Sequence, residues 1–121
     1  WINGRLNSFS TISGGICCSY GYTISYLPES IYMLDNLTYL NVSEAGLVEF
    51  PSTFGNLPSL TSFDVWRNNL TDDSFPESMN NLHFSGLSLD GNQLTQIPDF
   101  IQYSSTSLYY LYLFKIYSKL P

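Results

Sequence analysis

Histidine and cysteine are scarce in this chain while serines and aspartates are numerous, and their spacing suits none of the common catalytic sets. His83 is the only histidine. An imidazole acts as a base or a metal ligand only where a nucleophile, a carboxylate or further ligands converge on it. Here the next residue is Phe84, and the only two cysteines, Cys17 and Cys18, lie far off in sequence and side by side. No serine occupies a strained G-x-S-x-G turn. Gly14-Gly15 lacks both the G-x-G-x-x-G spacing and the Lys-Ser/Thr that a phosphate-cradling loop needs. The sequence therefore predicts no catalytic residue, no cofactor site and no metal site, and it argues against an enzyme.

Charge removes further classes. The net charge is -6, and the only basic residues are Arg5, Arg67, Lys115 and Lys119. Binding nucleic acid requires a clustered basic surface that displaces counterions from phosphates, and none is present. An anionic membrane would repel the chain for the same reason. The longest apolar run, Leu108 to Phe114, is far short of the ~20 residues of a spanning helix. At 121 residues the chain is one domain's worth. A protein or peptide partner is the remaining expectation.

The elements that would position a binding surface announce themselves by a period. An apolar residue precedes proline at Leu27-Pro28, Phe50-Pro51, Phe75-Pro76, Ile97-Pro98 and Leu120-Pro121, with the prolines 23, 25, 22 and 23 residues apart. Only Pro58 stands outside the series. Such self-similarity marks stacked repeat architectures. Between the prolines the chain reads Leu37-x-x-Leu40-x-Val42-x-x-Ala45-x-Leu47, then Leu60-x-x-Phe63-x-Val65-x-x-Asn68-x-Leu70, then Phe84-x-x-Leu87-x-Leu89-x-x-Asn92-x-Leu94.

These residues resemble the leucine-rich repeat, L-x-x-L-x-L-x-x-N-x-L, in the 23-to-24-residue units of receptor-like and Ras-associated repeat proteins. The match covers residues 37–101 well and 24–36 fairly; only apolar spacing extends it over 108–121. The units are read as 14–36 (degenerate), 37–59, 60–83, 84–107 and a partial 108–121, with 1–13 unassigned. The resemblance implies an α/β solenoid, a horseshoe segment with short parallel strands on the concave face and 3₁₀ or irregular turns on the convex face. It implies a protein-interaction module, or else a structural or ligand-sensing arm of a larger receptor or signalling enzyme whose activity lies elsewhere. A chain that starts at Trp1 without a polar capping unit reads as a fragment.

Within a unit, apolar and polar residues alternate as in a strand with one buried face. Strands are expected to centre on Leu40–Val42, Phe63–Val65, Leu87–Leu89 and Leu111–Leu113. Asn68 and Asn92, at the ninth position, are expected to turn inward and satisfy backbone groups, in a ladder interrupted at Tyr22, Ala45 and Ile116. Past each proline, Ile31, Leu34 and Leu37, then Phe54, Leu57 and Leu60, recur every three residues, as in a 3₁₀ turn. The proline is expected at the first helical position, with Glu29, Glu77 and Asp99 favouring the positive end of the turn. Two extra residues in Thr71–Ser74 predict a bulging loop.

The outward strand positions are the expected partner surface: Tyr39, Asn41, Ser43 and Glu44; Ser62, Asp64, Trp66 and Arg67; Gly86, Ser88 and Asp90; Tyr110, Tyr112 and Phe114. Trp66 and Arg67 lead, because tryptophan and arginine dominate interface hot spots. Cys17 takes a core position of the first unit. Adjacent cysteines rarely bridge each other, so either one thiol is buried and one outward, or both pair with cysteines of a missing cap. Sequons begin at Asn36, Asn41 and Asn69, and with low lysine content they lean towards an extracellular setting. The uncharged run Leu108–Phe114 has the profile of an aggregation-prone edge.

Overall fold

The computed structural model describes residues 24–104 and 107–113, and residues 15–17 as backbone. Five three-residue strands lie in one sheet: β1 Gly15–Cys17, β2 Tyr39–Asn41, β3 Ser62–Asp64, β4 Gly86–Ser88 and β5 Tyr110–Tyr112. They are ordered as in the chain, and every neighbouring pair is parallel. Tyr39 pairs with Ser62, Ser62 with Gly86 and Gly86 with Tyr110, so the register advances by 23 or 24 residues per strand. The strands start one residue earlier than expected. Val42, Val65 and Leu89 follow them, yet their amides still donate to the carbonyls of Asp64, Ser88 and Tyr112 at 3.0, 2.9 and 2.9 Å. Cys17 is placed by its backbone in β1, while Cys18 and Phe114 lie outside the described residues.

Alternation decides which side is buried. Leu40, Phe63 and Leu87, the central residues of β2, β3 and β4, are withdrawn from solvent. Their β2 and β3 neighbours are half-buried on the other face. Behind the sheet run the 3₁₀ turns Glu29–Met33, Phe54–Asn56, Glu77–Asn81 and Asp99–Ser104. Ile31, Leu37, Phe54, Leu57 and Leu60 are buried as their threefold spacing requires, whereas Leu34 is only partly covered. Pro28 and Pro76 do not enter the first helical position. Each is the N-cap, in extended backbone with ψ of 150° and 152°. The proline carbonyl is what the turn uses: those of Pro28, Pro51, Pro76 and Pro98 accept from the amides of Ile31, Phe54, Met79 and Ile101 at 3.0–3.1 Å.

A phenylalanine stack joins the layers. Phe63 and Phe84 lie 4.8 Å apart between ring centres, Phe50 and Phe54 4.7 Å, and Phe75 and Phe100 5.2 Å. Buried aromatic pairs of this kind add about 0.5–1.5 kcal/mol each beyond their area. The turns approach closely as well. A Cβ on Gly55 would fall 1.8 Å from the Ser78 carbonyl oxygen, so only glycine fits where Phe54–Asn56 packs on Glu77–Asn81. Ile97 differs from its counterparts: Leu27 and Phe50 are buried, but Ile97 is 57% exposed.

The inward asparagines behave as expected. Asn68 Oδ1 accepts from the amides of Ala45 and Leu47 at 3.0 and 2.9 Å, and its Nδ2 donates to the carbonyls of Val42 and Val65 at 3.0 and 2.9 Å. Asn92 accepts from Leu70 at 3.1 Å and donates to Val65 and Leu89 at 2.9 Å each. Ala45, which has no such groups, is buried at the corresponding place. The two-residue insertion does not bulge freely. Asp72–Ser74 forms its own 3₁₀ turn, closed by a capping box between Thr71 and Ser74. Ser74 is buried, and its hydroxyl donates to the Val48 carbonyl at 2.6 Å, so the inserted residues are drawn onto the preceding segment.

Candidate functional site: the outward face of the sheet

The polar strand positions form one surface with two unlike halves. On β2 and β3, Tyr39 Oη donates to Asp64 Oδ2 at 2.6 Å. Asn41 Nδ2 donates to Tyr39 Oη at 3.2 Å, and Asn41 Oδ1 accepts from the Ser43 amide at 3.0 Å. Burial first, and then the bond and charge of Asp64, push the Tyr39 hydroxyl well above the usual phenol range. It therefore stays a donor. Two oxygens are shut from solvent without a hydrogen-bond partner among the described residues, Ser43 Oγ and Asp64 Oδ1.

Where the chain leaves β2 and β3, Glu44 and Arg67 adopt left-handed backbone, φ 55° and 52°, which is uncommon outside glycine. These matched exits set the two side chains one strand apart, and Arg67 Nη1 meets Glu44 Oε1 at 2.9 Å. The Arg67 guanidinium also stands 5.4 Å above the Trp66 ring. The exposed ion pair contributes little stability, but it holds the guanidinium against the indole. At the next exit the matched left-handed residue is Gly91, φ 67°, and the preceding Asp90 carbonyl accepts from the Arg67 amide at 2.7 Å.

On the β4–β5 side the surface hollows into a pocket of about 350 Å³, lined by Asp64, Trp66, Ser88, Tyr110 and Tyr112. Register explains the set, since Asp64, Ser88 and Tyr112 are consecutive partners across three strands. Tyr110 reaches back over Gly86, where a Cβ would lie 2.2 Å from its ring, towards Ser62, whose hydroxyl meets Ser85 Oγ at 3.3 Å. Burial, then the Asp64 charge, raises the Tyr110 hydroxyl, with the Ser62 hydroxyl opposing. The Tyr110 and Tyr112 rings lie 5.6 Å apart.

Of the outward positions that are described, those of β2 and β3 are half-buried beside the inward core residues, whereas two of β4 are not exposed. Ser88 is 7% exposed, and Gly86 is buried as well. Gly86 proves as consequential as any side chain in the set, because its lack of a Cβ admits Tyr110. A glycine within a strand pattern is the sequence signal for such a close approach.

The opposite side holds a cleft of about 410 Å³ that includes Tyr26, Glu29, Phe50 and Ser74. Several of its polar groups are already engaged. Glu29 lies in the first turn of Glu29–Met33 as expected, but its hydrogen bonds go to the neighbouring segment. It accepts from the Thr53 hydroxyl at 2.8 Å and from the amides of Ser52 and Thr53 at 3.3 and 3.2 Å. Asp72 similarly takes the Thr95 amide at 2.9 Å and the Thr95 hydroxyl. Each carboxyl is held below its ordinary range, chiefly by the threonine hydroxyl. His83, which is exposed, donates from Nδ1 to the Tyr103 carbonyl at 2.7 Å. Of the sequon asparagines, Asn36 and Asn69 are exposed, whereas Asn41 is committed to Tyr39 and Ser43.

Among the described residues, no helix is long and apolar enough to cross a membrane. No protein-family model matches this chain, and no curated protein is significantly similar to it.

Proposed function

We propose that the chain is a leucine-rich-repeat solenoid segment acting as a protein-interaction module through the outward face of its strands. The observation that carries this reading is the aromatic-walled pocket set into a polar surface that spans β3, β4 and β5. A large ring in a polar surround is the composition of interface hot spots, where a few desolvated aromatic and arginine residues supply most of the binding free energy. The inward asparagines and the 23-to-24-residue register support the repeat assignment. The absence of convergent nucleophile, base and ligand sets in the sequence favours recognition over turnover.

The test uses the native partner, recovered by affinity capture on the wild-type chain and measured by calorimetry. Trp66→Ala should weaken binding by about 2 kcal/mol or more with the fold intact. Glu29→Ala, on the turn side, should change it little. Equal losses, or a loss only at Glu29, would place the working surface on the turns.

A further inference from the structure

We infer that the pocket between Trp66 and Tyr112 is a receptor for a cationic side chain, so that the partner engages it with an arginine or lysine of an exposed segment. The inference rests on the strand-face reading above and names the chemistry of what that face takes.

Three observations converge on it. First, the pocket combines one carboxylate with three aromatic rings, Asp64 with Trp66, Tyr110 and Tyr112. Ring faces carry partial negative charge and attract a cation within about 6 Å, tryptophan most strongly. Second, the Asp64 carboxylate is only half compensated. Oδ2 takes the Tyr39 hydroxyl, while Oδ1 is shielded from solvent and has no donor among the described residues. A shielded anionic oxygen without a partner is unfavourable, and a cation seated among the rings lowers that cost. Tyr39 and Tyr110 do not add competing anions, since burial and Asp64 itself hold both hydroxyls protonated. Third, the surrounding field has the right sign. The strand face bears Glu44, Asp64 and Asp90 against Arg67, and Arg67 is neutralised by Glu44. The Arg67–Trp66 stack at 5.4 Å is an intrachain instance of the same contact, and Arg67 does not line the pocket. A pocket of about 350 Å³ is of the size that takes one side chain rather than a folded element. A neutral aliphatic side chain would satisfy the rings and leave Asp64 as it is, so the carboxylate is what selects for charge.

The experiment titrates the full chain with N-acetyl-arginine methylamide and, separately, its neutral isostere N-acetyl-citrulline methylamide, followed by amide and indole NMR shifts. The expected result is a saturable shift at the Trp66 indole and the Ser88 and Tyr112 amides with the arginine compound. Affinity for citrulline should be at least tenfold lower. Asp64→Asn keeps an acceptor for Tyr39 and should cost the arginine compound about tenfold, with the melting curve as a fold control. Tyr112→Ala, at a side chain 58% exposed and clear of the core, should weaken it severalfold and serves if Asp64→Asn fails to fold. Equal shifts with both compounds, undiminished binding in the variants, or no saturable shift would overturn the cation site. A native partner that still needs Trp66 but carries no cation in the pocket would leave the strand-face reading standing and sink only this one. Shifts confined to the Glu29 side would count against both.

Discussion

Asn68→Ala gives the sharpest test of how the fold is held. The side chain is 5% exposed and makes four hydrogen bonds to backbone groups. Truncation leaves the Ala45 and Leu47 amides and the Val42 carbonyl without this partner. The Val65 carbonyl still receives Asn92 Nδ2 at 2.9 Å. Three buried groups left unpaired cost about 1–3 kcal/mol each, so a loss of about 3–5 kcal/mol is expected even after partial relaxation. That is a large share of the roughly 5–15 kcal/mol typical of a domain. Asn92→Ala should cost less. It strips one amide, that of Leu70, and the Leu89 carbonyl, while Val65 keeps Asn68. Urea denaturation by circular dichroism would read both, with an unchanged slope confirming that compactness is preserved. A loss below about 1 kcal/mol for Asn68→Ala, or an equal loss for Asn92→Ala, would refute the account of unpaired backbone groups.

Other outcomes follow from the same geometry. Leu89 is 1% exposed, so Leu89→Ala should cost about 2–5 kcal/mol in the same denaturation assay. Glu29 and Asp72 have folded-state pKa values depressed below their ordinary 4.5 and 3.8. Their stabilisation is therefore present above those values and lost as pH falls through the lower folded ones. Melting temperature followed from pH 6 to about pH 2 should decline less steeply in the double variant Glu29→Gln/Asp72→Asn than in wild type. Expressed through a eukaryotic secretory route, the chain should carry glycans at Asn36 and Asn69 but not at Asn41, whose amide is held on the strand face. Intact-mass and peptide mapping would check the assignment.

The 23-to-24-residue spacing of the strands was legible without coordinates because each strand must bury its central residue behind the sheet. Leu40, Phe63 and Leu87 recur for that reason, and Asn68 and Asn92 recur because the backbone groups at those bends need a partner. Side-chain type and spacing thereby determined the strand order and the inward face. They also determined that the outward polar positions would share a surface. Local pattern did not reach contacts that depend on which way a long side chain leans. Tyr110 lies back over Gly86 because β4 offers no Cβ there, and it forms one wall of the pocket. Glu29 and Asp72, besides lying in the first turns of their own short helices, each reach threonines 23 or 24 residues ahead. The inserted Thr71–Ser74 folds into a capped turn because Ser74 finds the Val48 carbonyl. Side-chain pattern was thus enough for the short parallel strands and their buried central residues, which are a matter of burial period. The pocket needed the tertiary structure, since its walls come from three strands and its charge from a carboxylate whose second oxygen has no donor among the described residues.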